Sequence, residues 1–116
     1  MACPVVHFEI GCKDQTKTVD FYKQLFGWQF QAYGTSSMVN TGSTAGIQGH
    51  ISALGHEPHN YVTVYVQVEN LAASLQRAQE LGGKTCVPPT DVPGMGQFAW
   101  FTDPEGTIVG LWKPVG

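Results

Sequence analysis

The 116-residue chain is poor in charge: only 13% of its residues are Asp, Glu, Lys or Arg, against 42% hydrophobic. Its six basic residues, Lys13, Lys17, Lys23, Arg77, Lys84 and Lys113, are scattered, and the formal net charge is −3. Without a basic stripe or an Arg cluster there is no electrostatic footprint for nucleic acid or an anionic membrane. No apolar run reaches the roughly 18 residues that would span a bilayer. The N-terminus, Met1 to His7, has no basic start and turns polar at His7 and Glu9, which argues against a signal peptide. There are three cysteines, Cys3, Cys12 and Cys86, an odd number at wide spacing. That pattern reads as reduced thiols in a cytoplasmic protein rather than a disulfide framework, and none has a readable activating neighbour.

What the chain does have is a copy of itself. Asp14 to Gly27 aligns without a gap on Asn70 to Gly83, an offset of 56 positions in a chain of 116 residues. One supersecondary unit used twice sets the fold before any single residue does.

Each copy follows the same grammar. Val5 to Ile10 reads as a strand, with Val6, Phe8 and Ile10 on one face and Val5, His7 and Glu9 on the other. Asp14 caps a helix whose buried stripe is Val19, Tyr22, Leu25 and Phe26, ended by Gly27. Tyr61 to Val68 is the second copy's strand, with Val62, Val64, Val66 and Val68 facing away from Tyr61, Thr63, Tyr65 and Gln67. Asn70 caps its helix, Leu71, Leu75, Ala78 and Leu81 form the stripe, and Gly82-Gly83 stops it. Shorter strands follow each helix, at 28–33, 37–40 and 47–53, then at 85–88, 97–101 and 108–112. The expected fold is α+β, with two tandem βαβββ modules at about 1–55 and 60–116. They form a single domain over 1–116, joined by the polar segment 54–60. One helix covers one face of a four-stranded sheet, so ligands are sought on the other, concave face of a curved mixed sheet.

At Val6-His7-Phe8-Glu9-Ile10, Phe21-Tyr22, Leu25-Phe26-Gly27-Trp28, Leu81-Gly82-Gly83-Lys84 and Asp103-Pro104-Glu105-Gly106 the chain resembles the vicinal oxygen chelate superfamily. That superfamily includes glyoxalase I, the bleomycin-resistance proteins and the extradiol dioxygenases. The resemblance implies paired βαβββ modules, a homodimer, and a small-molecule pocket on the concave sheet. In metal-dependent members it also implies four ligands, on the first and last strands of each module. His7 matches the first of these. Adding the repeat offset gives Thr63, a poor divalent-metal ligand. The last-strand carboxylate falls at Gly110, which has no side chain. In the first module Gly49 or His50 occupies the corresponding place. At best His7 and His50 remain as metal candidates for Zn, Ni, Mn or Fe, where catalytic sites usually offer three protein ligands.

Other residues have plainer readings beside sharper ones. His7 and Glu9 share a strand face and are the candidate acid–base pair, although Glu9 also reads as a carboxylate near the sheet edge in water. Tyr65, Phe98, Trp100 and Trp112 alternate with apolar neighbours. They are expected, with His7, His50 and Thr63, to line the ligand pocket or else to pack the module interface. His56, Glu57 and His59 read as an exposed linker, because Pro58 prevents the helical spacing that would aim two His at one ion. Asp103 and Glu105 read as turn residues. The segment 88–96, with Gly94 and Gly96 around Met95, reads as a long loop flanking the pocket.

The expected function is a glyoxalase-like protein that binds a small organic ligand beside a degenerate metal site. The alternative is a divalent-metal-dependent lyase, isomerase or dioxygenase resembling lactoylglutathione lyase. A pairing module acting through oligomer contacts is a third possibility that no residue specifically supports.

Overall fold

The computed structural model describes residues 2–53 and 59–115. Within them the elements run β1 (Val5–Gly11), α1 (Gln15–Phe26), β2 (Gln29–Tyr33), β3 (Ser36–Asn40), β4 (Gln48–Ser52), β5 (Tyr61–Gln67), α2 (Leu71–Glu80), β6 (Lys84–Val92), β7 (Gly96–Thr102) and β8 (Ile108–Pro114). The chain is α+β, with β-α-β-β-β written twice. It divides into two compact units, residues 7–63 and residues 1–6 with 64–116.

In the first unit the strands are hydrogen-bonded in the order β2-β3-β4-β1. β1 and β4 are parallel, and the β2–β3 and β3–β4 pairs are antiparallel. In the second unit the order is β6-β7-β8-β5, with β5 and β8 parallel and the other pairs antiparallel. The two sets match element for element, so the sequence repeat is a repeat of topology.

The caps act where the sequence places them. The Lys17 N–H donates to Asp14 Oδ1 at 3.0 Å, and the Ala73 N–H donates to Asn70 Oδ1 at 2.9 Å. Each satisfies one of the N–H groups that a helix start leaves unpaired. Gly27 closes α1 in the left-handed conformation (φ 71) and donates to the Lys23 carbonyl.

Each helix covers one sheet face. Below α1, Cys12, Val39 and Ile51 are buried, with Phe8, Ile10, Val19, Tyr22, Trp28 and Phe30 packed around them. Tyr22 and Trp28 stack with centroids 5.5 Å apart. Below α2 the core is Leu71, Leu75, Ala99 and Leu111, with Val66, Val68 and Phe101. The expected stripes are only partly buried. Leu25 and Phe26 are more than half exposed, as is Leu81. Helical spacing shows that such residues share a face, but not how much of that face is covered.

The expected loop at 88–96 is instead a hairpin. β6 continues to Val92 and pairs with β7 as far as Val92↔Gly96. Pro88 and Pro89 are tolerated because β6 lies at the end of its strand order and its register shifts between Thr85 and Val87 and between Val87 and Thr90. A bulged edge strand has positions that need no ladder N–H. The reversal is a tight turn with Pro93 and a left-handed Gly94 (φ 77) at its centre, closed by the Met95 N–H on the Val92 carbonyl at 2.9 Å. Proline then glycine is the sequence signature of a type II turn.

Candidate functional site

β1 and β4 run side by side in parallel, with Glu9 opposite His50 and Phe8 opposite Gly49. This register places Gly49 and His50 on opposite faces of the sheet. Gly49 backs onto Phe8, where a Cβ would collide with the Phe8 carbonyl and ring. His50 shares the face of His7 and Glu9.

On that face four side chains form one chain of contacts. His7 Nε2 and His50 Nδ1 are 2.6 Å apart. His50 Nε2 lies 3.3 Å from Glu9 Oε1. The Tyr61 hydroxyl donates to Glu9 Oε2. Tyr61 reaches Glu9 because its ring lies across Gly11, in the space any larger side chain on β1 would fill. Glu9 is 1% exposed, so the reading that placed it at a sheet edge in water does not hold. Strand alternation identifies its face correctly, but the cover comes from Tyr61, 52 residues away in sequence.

The electrostatics follow from this burial. His7 titrates at about 4 rather than 6.5, first because burial penalises the imidazolium, then because His50 repels it; Glu9 opposes both effects. The Tyr61 hydroxyl is pushed well above its ordinary value by burial and by its hydrogen bond to Glu9. At neutral pH His7 is therefore an uncharged imidazole and Tyr61 a firm donor.

The fit of a divalent ion can be judged from the donors. Two imidazole nitrogens on one tetrahedral Zn²⁺, each at about 2.0–2.1 Å, stand roughly 3.3 Å apart. His7 Nε2 and His50 Nδ1 are closer than that and share a hydrogen instead. Among the described residues no group of three or more His, Cys, Asp or Glu is placed to hold a metal ion. Thr63 is buried at the position matching His7, and its hydroxyl is a poor ligand. Gly110 is enclosed, and a Cβ there would run into the Tyr65 ring. As arranged, these residues do not fit a catalytic divalent ion.

The remaining expected pocket residues lie in the second unit. Tyr65 and Trp100 are buried, and Trp100 Nε1 donates to the Tyr65 hydroxyl at 2.7 Å. Phe98 meets Tyr65 edge-on with centroids 6.4 Å apart, and Trp112 pairs with Phe98 across β7 and β8. Asp103 holds its turn, with Oδ1 accepting from the Glu105 and Thr107 N–H groups at 2.9 and 3.0 Å. A cleft of about 600 Å³ in the second unit lies beside α2, walled by Leu81, Phe101, Leu111 and Pro104 with Arg77 at its rim. None of the expected site residues lines it. Of the His56, Glu57 and His59 linker, residues 54–58 lie outside the described set. Tyr61 is the member of the cluster that sequence reasoning did not name. Its only signal is that it opens β5 on the same face as Thr63.

Residues 5–111 match the profile of the Glyoxalase/Bleomycin resistance protein/Dioxygenase superfamily, and the chain belongs to that family. It is similar to the anthracycline biosynthesis protein DnrV of Streptomyces peucetius, 29% identical over 91% of this chain and 45% of that protein. It is also 31% identical to a glyoxylase-like domain-containing protein of Didymella fabae, over 84% of each. Among solved structures, methylmalonyl-CoA epimerase from Mycobacterium tuberculosis superposes with a TM-score of 0.65 at 14% identity, covering 97% of this chain and 88% of that one. The chain spans less than half the length of DnrV and of several other curated relatives that it matches. Members of the family often use divalent metals, and no helix among the described residues is long and apolar enough to cross a membrane.

Proposed function

We propose that this protein binds a small organic ligand on the helix-free sheet face of its first module, beside a metal site that has degenerated. The observation that carries the reading is the direct His7–His50 contact. The two imidazoles that the family resemblance offers as ligands are spent on each other, and the second of them on a buried carboxylate. The protein acts in the cytoplasm as a homodimer. Free thiols at Cys3 and Cys86, both exposed, suit a reducing compartment.

The test is a thermal-shift series on the full chain with a chelator present, using a panel of small aromatic compounds. A ligand that binds only the native state raises the melting temperature by mass action. A parallel arm measures bound metal after native purification and the shift on adding Ni²⁺, Zn²⁺, Mn²⁺ or Fe²⁺. Metal bound in stoichiometric amount, with stabilisation lost in His7→Ala, would replace this reading with a metal-dependent lyase, isomerase or dioxygenase.

A further inference from the structure

Between Lys23 and Glu57 the chain has no Asp, Glu, Lys or Arg. That run supplies β2, β3 and β4. For β3 and β4 the absence is expected, because each has a strand on both sides and central strands are mostly buried. β2 is different. It stands at the end of its strand order, paired to β3 without a bulge from Gln29↔Asn40 to Tyr33↔Ser36, and no described strand lies on its outer side. Four of its five residues, Gln29, Gln31, Ala32 and Tyr33, are exposed. An open edge presents unpaired N–H and C=O groups, and proteins guard such edges with charge, proline or bulges. β6, the edge strand of the second unit, has all three guards: Lys84 and Asp91, Pro88 and Pro89, and register shifts on both sides of Val87. β2 has none of them.

We infer that β2 is the interface of the homodimer proposed above, on which this rests: its open edge pairs antiparallel with β2 of a second copy, and the sheet continues across a two-fold axis. The composition favours a second copy over a different protein. Near a two-fold axis a charged side chain meets its own equivalent, so a self-pairing strand has to be neutral. Pairing with another protein carries no such requirement and is usually steered by complementary charge. The pattern of β2 also closes on itself. Phe30 packs into the core below α1, which puts Phe30 and Ala32 on the helix side and Gln29, Gln31 and Tyr33 on the other. With the axis at Gln31, Phe30 of one copy lies opposite Ala32 of the other, large against small, and Gln29 lies opposite Tyr33. The two Gln31 amides, each both donor and acceptor, face one another. Every opposed pair then shares a face, as an antiparallel ladder demands.

Sedimentation equilibrium of the full chain over a dilution series gives the association state. Hydrogen exchange read by mass spectrometry on the same samples gives the protection of residues 29–33. The expected result is a dimer whose β2 amides gain protection as it assembles. Gln31→Lys and Gln31→Glu each set two like charges at the axis, so at low ionic strength each alone should dimerise several-fold more weakly. Mixed in equal amounts they should form a heterodimer at least as tight as the wild type, because opposite charges then meet. Gln31 is exposed, so neither substitution enters the core, and circular dichroism checks folding. The exchange measurement needs no variant. A dimer whose β2 protection ignores concentration, or which both substitutions leave equally strong, overturns the inference and leaves a homodimer built on another surface. Weakening that mixing does not reverse also overturns it, since β2 then does not meet its own copy at Gln31. A chain that stays monomeric throughout removes both the inference and the homodimer.

Discussion

Glu9→Gln separates the charge of the buried carboxylate from its shape. The amide is nearly isosteric, so packing under the Tyr61 ring is preserved. However, it offers one acceptor oxygen where the carboxylate offers two, and its NH₂ group must face either the Tyr61 hydroxyl or His50 Nε2. Left as they stand, two donors would meet, and an unsatisfied buried donor costs about 1–3 kcal/mol. Relief comes from removing a buried charge, which is itself expensive to desolvate, and from His50 reversing its tautomer to accept from the amide. The net expectation is a loss of about 1–2 kcal/mol, which for a chain of this size lowers the melting temperature by roughly 4–8 °C. Urea denaturation followed by circular dichroism gives the energy. Long-range ¹⁵N–¹H spectra of ¹⁵N-histidine-labelled protein give the tautomers. In the wild type His50 should carry its hydrogen on Nε2, because an ionised carboxylate only accepts, and in Glu9→Gln it should move to Nδ1. Wild-type His50 protonated on Nδ1, or a tautomer unchanged by the substitution, would refute the assignment of His50 as a donor to the carboxylate.

Three further outcomes follow from the same structure. His7 binds its proton at about 4 in the folded chain and at 6.5 when unfolded, with His50 and Glu9 the titratable groups beside it and Tyr61 closing over Glu9. The unfolded state takes up more protons between those values, so His7's contribution is fully present above about 6.5 and is lost as the pH falls toward about 4. The shift corresponds to roughly 3 kcal/mol, and about 2 once the partial exposure of His7 is allowed for. Urea midpoints across this range should slope for wild type and flatten in His7→Gln, and parallel curves would count against the assignment. Gly110→Ala drives a methyl group into the Tyr65 ring and disturbs its hydrogen bond from Trp100, so a loss of about 1–3 kcal/mol and altered tryptophan fluorescence are expected. Asp14→Ala removes the acceptor for the Lys17 N–H and should cost about 1 kcal/mol in the same urea assay, with no change in ligand preference.

The features legible from sequence are those written in local chemistry. Asp14, Gly27 and Asn70 mark helix ends because capping needs only neighbours within a turn, and the 56-residue offset carries those marks into the second copy. Features that depend on distant chain were misread or left open. The segment 88–96 reads as a loop, because nothing local says that β6 is an edge strand whose bulges spare the missing N–H groups of Pro88 and Pro89. Leu25 and Phe26 have helical spacing with Tyr22, yet spacing cannot report how far the underlying sheet extends. Of the two readings of Glu9, the one at a sheet edge in water fails, since the phenol that helps bury it arrives from β5. His50 and Gly49 could be told apart only once the parallel register of β1 and β4 was known.

The two copies share a scaffold and differ in their side chains, and two tyrosines show how. Tyr61 and Tyr65 stand four positions apart on β5, and each lays its ring where a glycine leaves room, Tyr61 over Gly11 and Tyr65 over Gly110. At Gly110 the ring fills the space that the resemblance reserves for a carboxylate ligand, and its hydroxyl is tied to Trp100. At Gly11 the ring carries a hydroxyl to Glu9, whose other oxygen lies 3.3 Å from His50, itself in contact with His7. A glutamate at position 110 would have to evict a buried, hydrogen-bonded ring. In each unit a tyrosine ring thus occupies the room that a glycine leaves, and each ring carries its hydroxyl into a hydrogen bond with a neighbour of its own unit.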